Sequence, residues 1–244
     1  MALTKPTPEI TAIDAVFEKL LGDIISGAYP AGSRLPAERE LSRQLGASRP
    51  TLREALRRLD EWNLVEPRRG SGIVVRPYRD WSIEVIPAYL RYGKPDVAAG
   101  QPTFGRILID LFAMRRAVCL EVIKLTAQRV PKGATKGARL AMARAWSMRD
   151  QPTYAREDFE VMRQIAEAAK FTPGLWMLNS IADIWADAAL ALRFIIRPPD
   201  DYVQVHTKFF DLIENADTVG AVTLMTEYLL RHDDKVERAL AGMA

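Results

Sequence analysis

Between Pro36 and Leu59 the segment PAERELSRQLGASRPTLREALRRL reads as two short helices joined by a tight turn. In the first, Ala37, Leu41 and Leu45 share one face, and Gly46 follows where a helix end turns into the left-handed region. The second begins at once. Ser48 is a good N-cap, Pro50 falls in the first turn where its missing N–H is harmless, and Leu52, Ala55, Leu56 and Leu59 recur at core spacing. Arg49, Arg53 and Arg57 take a different face, spaced i, i+4 and i+8. Such a pair of helices, the second carrying a row of arginines, is the helix-turn-helix arrangement whose second helix enters the major groove of duplex DNA.

The flanks agree with that reading. Ile13, Val16, Phe17, Leu20, Leu21 and Ile24 repeat at helical spacing until Gly27, and the turn-rich YPAGSRLP separates this helix from the pair. After the pair, Leu64 to Glu66 reads as a strand, RRGSG as a basic turn and Ile73 to Val75 as a returning strand, together a wing. Residues 34–79 hold 11 arginines, no lysine and 6 acids. Residues 1–79 hold 13 basic and 10 acidic side chains, so residues 80–244, with 21 of each, balance to zero. The whole basic excess therefore sits where phosphates would be met.

RPYRD at 76–80 marks a break, and the predicted domains are 9–79 and 80–244. Beyond the break the patterning is helical, with helices expected near 81–92, 103–130, 134–149, 153–170, 174–196, 200–216 and 218–241. Pro- and Gly-containing breaks between them imply an antiparallel bundle of about seven helices. The expected fold class is thus mainly α: a winged helix-turn-helix with a small β wing, followed by an all-helical bundle.

No stretch is apolar enough to span a membrane, and MALTKPTPEI lacks the apolar core of a signal peptide, so a cytoplasmic protein without a membrane partner is expected. The single cysteine, Cys119, reads as a buried helical thiol. No nucleophile elbow, phosphate-binding glycine loop or complete metal set is present, which argues against an enzyme.

From Tyr29 to Val75 the chain closely resembles the DNA-binding domain of the GntR family of bacterial regulators, through LPAERE at 35–40, SRPTLREALRRL at 48–59 and RRGSG at 68–72. Residues after 80 resemble the ligand-sensing FCD domain of the FadR branch, DWSIEVIPAYLRY matching its opening helix. The first resemblance implies DNA contacts by Arg39, by Ser48, Arg49, Thr51 and Arg53 at the start of the recognition helix, and by Arg69 and Gly70 at the wing tip. Arginine forks grip phosphates or read guanine, and hydroxyls and backbone N–H groups fix phosphates. Arg57, Arg58 and Arg68 could equally pair with nearby acids.

Many FCD domains hold a metal through one Asp and three His. Aligned on that pattern, this chain offers Asp158, Met162, His206 and Tyr228, a degenerate set from which no bound metal and no cofactor are expected. The same positions could contact an organic effector. Arg115 matches a family arginine that often faces the ligand, with a structural salt bridge as its alternative, and Asn179 is a further candidate. Trp176, Trp185 and Phe194 read as core, and His232 as a surface residue. The resemblance implies a homodimer on a palindromic operator, acting as a repressor released by a small organic acid or acyl metabolite. The alternative is a constitutive DNA-binding regulator whose C-terminal domain only dimerises.

Overall fold

A computed structural model describes residues 11–94, 101–191 and 197–241. The chain falls into two compact units, dividing after Gln101.

The first unit opens with α1 (Ala12–Ile25), started by a capping box in which the Thr11 side chain accepts from the Asp14 N–H and Asp14 accepts from the Thr11 N–H. Its stripe of Val16, Phe17, Leu20, Leu21 and Ile24 is buried. It packs on α3 (Arg49–Glu61), whose inner face is Leu52, Ala55, Leu56 and Leu59. Between them in sequence lies α2 (Glu38–Gln44), buried at Leu41 and followed by Gly46 at φ +62°, the left-handed turn that a glycine makes without strain. Ser48 caps α3 through the Thr51 N–H at 3.2 Å.

Strands β1 (Val65–Arg68) and β2 (Gly72–Val75) form the expected hairpin, in register Val65↔Val75 through Arg68↔Gly72. The preceding turn-rich segment adds an isolated bridge, Arg34↔Val74. The expected boundary at 79/80 lies ahead of α4 (Ile86–Tyr92), which packs on α1, and Tyr92 Oη donates to Glu18 at 3.0 Å. The residues anticipated as the bundle's opening helix thus sit within the first compact unit.

Among the described residues the second unit holds six α-helices. They are α5 (Phe104–Thr126), α6 (Lys136–Ser147), α7 (Tyr154–Ala168), α8 (Thr172–Ala191), α9 (Tyr202–Glu214) and α10 (Thr218–Ala241). The alanine face of α6, Ala138, Ala141 and Ala145, lets it pack closely on α7 and α9. Helix α5 lies against α7 and α10, and α9 against α10. Tyr202, Phe209, Phe210 and Ile213 of α9 are fully buried, so this helix carries the middle of the core.

Candidate functional site

In the first unit, Arg39, Ser48, Arg49, Arg53, Arg69 and Gly70 are exposed, and Thr51 is half-buried. Arg39, Arg49 and Arg69 have no carboxylate partner among the described residues, which leaves their guanidinium forks available. Arg53 instead pairs with Glu38 at 2.8 Å across the two helices of the motif, both side chains remaining exposed. An exposed pair of this kind is weak, about 0–1 kcal/mol, so a phosphate can displace it. Ser48 Oγ lies 2.7 Å from Thr51 Oγ1 as well as capping α3. Gly70, at φ +73° and on the exposed hairpin turn, takes a conformation that other residues adopt only under strain.

The arginines left open by the sequence are engaged structurally. Arg57 bonds to Glu54 and Glu61, Arg68 to Glu66, and Arg58 to Asp14 at 2.8 Å while lying 4.1 Å over the Phe17 ring. Thr11 and Arg58 together hold the Asp14 carboxyl down at about 2. Arg49→Ala is therefore expected to weaken binding to any selected DNA site by about 1–3 kcal/mol, and Arg57→Ala by much less. Fluorescence anisotropy at fixed salt measures both, and equal losses would contradict the division.

The second site is a cavity inside the helical unit. Four helices each contribute an i, i+4 pair: Arg115 and Cys119 from α5, Asp158 and Met162 from α7, Tyr202 and His206 from α9, Tyr228 and His232 from α10. All but Tyr202 line one cavity of about 40 Å³, together with Tyr154, Trp185 and other apolar side chains. That volume holds roughly three waters, or a molecule of a few heavy atoms.

Around Asp158, Tyr202 Oη donates to Oδ1 at 2.8 Å, and no basic side chain pairs with the carboxylate among the described residues. His206 Nδ1 is 2.8 Å from the Tyr202 carbonyl oxygen, which can only accept, so Nδ1 carries the hydrogen and Nε2 presents a lone pair. Burial lowers the His206 pKa and keeps the ring neutral. Burial and the Asp158 charge push the Tyr154 and Tyr228 phenols upward, so both stay protonated.

Arg115 is buried with its guanidinium 5.2 Å from the Phe112 ring centroid and 4.8 Å from that of Trp185. It donates to Asp233 at 3.2 Å, a carboxylate it shares with Arg116, and its Nε has no partner. Beside it His232 stacks on Phe112 at 5.8 Å, with Nδ1 likewise unpartnered. Burial, and then the Arg115 charge, push the His232 pKa down to about 3.

His232 is thus buried rather than on the surface. The polar run RHDD suggests exposure, yet Tyr228, Leu229, His232 and Val236 form the buried stripe of α10, a helical repeat present in the sequence. Trp176 also departs from expectation: it is 66% exposed, because Leu178 and Trp185, seven residues apart, define the inner face of α8. Asn179 lies on the exposed surface of α8 and does not line the cavity. Phe194 lies outside the described residues. Cys119 is buried, its thiol pushed up to about 11 by burial.

A divalent metal does not fit this arrangement. Met162 is a neutral thioether, Tyr228 is a phenol whose ionisation burial opposes, and Asp158 already accepts from Tyr202. No group of three His, Cys, Asp or Glu residues able to hold a metal occurs among the described residues. None of the described helices is long and apolar enough to cross a membrane.

Comparison with known proteins matches residues 12–75 to "Bacterial regulatory proteins, gntR family" and residues 110–231 to the FCD domain. The chain is similar to the transcriptional regulator Mce2R of Mycobacterium tuberculosis, 27% identical over 91% of this chain and 89% of the relative. It is also similar to a putative L-lactate dehydrogenase operon regulatory protein of Escherichia coli, 28% identical over 88% and 83% of the two chains. A solved structure titled for Lar, controlling the Listeria monocytogenes agr system, shares the fold at TM-score 0.61 and 14% identity, covering 95% of this chain and 99% of that one. This chain belongs to the GntR family: it is a transcription regulator, not an enzyme, with an N-terminal GntR helix-turn-helix and a C-terminal FCD domain.

Proposed function

We propose that this regulator binds a palindromic operator as a homodimer, and that a small organic acid in the helical cavity changes its grip on DNA. Arg39, Ser48, Arg49, Thr51, Arg53, Arg69 and Gly70 would contact the duplex. Arg115, Asp158, Met162, His206 and Tyr228 would contact the effector. Asn179 has no part in this reading.

The observation that carries the proposal is the buried Arg115, which lines the cavity and whose Nε lacks a hydrogen-bond partner. A buried cation with a spare donor suits a carboxylate, which accepts charge-assisted bonds from a planar fork. A volume of about 40 Å³ favours a short acid over an acyl chain. The name of the E. coli relative ties that protein to an L-lactate dehydrogenase operon, consistent with control of small-acid metabolism here. A dimer reads two half-sites, and an effector that prefers one separation of the two heads shifts DNA affinity by linkage. Repression by occupying a promoter is the simplest outcome of such binding.

Selection of genomic fragments by the purified protein, repeated with a panel of small acids at fixed salt, tests this reading. A palindrome whose recovery one acid abolishes is the expected result. A palindrome recovered equally under every acid would favour a constitutive regulator whose C-terminal domain only dimerises.

A further inference from the structure

The cavity has two poles of opposite charge, each lacking a partner that a ligand could supply. At one, Asp158 has no cation opposite it among the described residues, and His206 Nε2 offers a lone pair. At the other, Arg115 and Arg116 share the single carboxylate of Asp233, leaving Arg115 Nε and His232 Nδ1 without partners although both residues are more than nine-tenths buried. Tyr154 and Tyr228 feel both Asp158 and Arg115, so the two charges flank the same space.

The poles lie about one helical turn apart. Tyr228, whose ring is 5.3 Å from that of His206, and His232, stacked on Phe112 beside Arg115, are four residues apart on α10, a rise of about 6 Å. A simple carboxylate satisfies only the cationic pole and brings a second negative charge near Asp158, which the low-dielectric interior penalises. A metal would neutralise Asp158, but the donor set does not fit one. A ligand that carries its own cation satisfies both poles.

We propose that the cavity is built for a small zwitterion, its ammonium group held by Asp158 and His206 and its carboxylate by Arg115 and His232. The inference rests on the reading of this cavity as the effector site, and it narrows the organic acid to an amino acid of a few heavy atoms. The ammonium occupies the place of a metal cation and donates to Asp158 Oδ2 and His206 Nε2. The carboxylate accepts from Arg115 Nε and from the imidazole of His232. Cavity volume sets the scale: at about 40 Å³, glycine, alanine and their short homologues are of the right order.

The test uses the full chain and thermal melting with glycine, L-alanine, β-alanine and 4-aminobutyrate, against propionate, propylamine and L-lactate at equal concentration and ionic strength. A ligand that prefers the native state raises Tm by mass action. The expected result is a dose-dependent rise with at least one zwitterion that neither propionate nor propylamine reproduces. Asp158→Asn, which can still accept from Tyr202, is expected to weaken that zwitterion's Kd by about tenfold or more at unchanged circular dichroism. Should D158N fail to fold, Arg115→Lys offers a second variant, expected to lower affinity in the same titration.

A rise with L-lactate or propionate and none with the zwitterions would overturn the proposal while leaving the cavity an effector site. Zwitterion binding unchanged in D158N would also overturn it. No shift with any of the seven compounds would overturn it too, and the DNA selection then decides separately whether the cavity senses other acids.

Discussion

Replacing Asp233 by alanine is expected to cost about 3–5 kcal/mol of unfolding free energy, because it strands a buried guanidinium. Arg115 is more than nine-tenths buried, and Asp233 is its ion-pair partner among the described residues. Burial raises the Asp233 pKa further than the Arg115 and Arg116 charges lower it, so the pair offsets only part of the desolvation cost that its partners meet. Removing one partner leaves the other's cost uncompensated. Replacing Arg115 by methionine should be far milder, since Asp233 keeps Arg116 and the aromatic slot between Phe112 and Trp185 accepts a thioether. Urea denaturation of the two variants gives the comparison. Similar losses would mean that the pair acts through packing rather than charge, and a D233A loss below about 1 kcal/mol would mean that water or a bound anion reaches Arg115.

Acid should destabilise the protein through His232. Its folded pKa is about 3 against 6.5 for the free imidazole, because burial and the neighbouring Arg115 charge both oppose protonation. Between those values the unfolded chain binds a proton that the folded chain refuses, so stability rises with pH. The contribution is fully present above 6.5 and is lost as pH falls toward 3. One such group gives a slope of up to about 1.4 kcal/mol per pH unit, a few kcal/mol across the window. The buried His206 shifts in the same direction and adds to the slope. Asp14, folded at about 2, acts lower, where its stabilisation is lost as pH falls from about 4. Measurements from pH 4.5 to 6.5 therefore leave Asp14 behind, while Asp233, whose carboxyl burial raises, acts there with the opposite sign, so the contribution of His232 is read from the difference between the native chain and a variant. His232→Phe, which keeps a ring against Phe112, should flatten the slope by about one proton. An unchanged slope would show that His232 titrates normally in the fold.

The DNA-binding half was legible almost residue by residue because its determinants are local. The Gly46 turn, the Ser48 cap with Pro50, the Arg49–Arg53 spacing and the RRGSG hairpin each depend on residues within a few positions of one another, and the structure forms each where the chain writes it. The helical bundle was legible as helices. Periodicity reveals that a face is buried without naming what covers it, so Trp176 is exposed and His232 buried, each against expectation, and α4 falls within the first compact unit. His232 sat within reach of the same rule, since its spacing from Tyr228 and Val236 keeps it on the inner stripe.

By itself the sequence determined two things: a helix-turn-helix with a basic wing, and a run of amphipathic helices bearing Asp158, Met162, His206 and Tyr228 in place of a metal set. Only the tertiary structure decided which charges face each other. Arg115 and Asp233 are separated by 118 positions, and Tyr202 and Asp158 by 44, yet each pair is in contact. No local pattern encodes such a distance, because the pairing is fixed by how four separate helices pack. That packing puts Asp158 on the cavity without a cation opposite it among the described residues, and Arg115 on the same cavity with its Nε unpartnered.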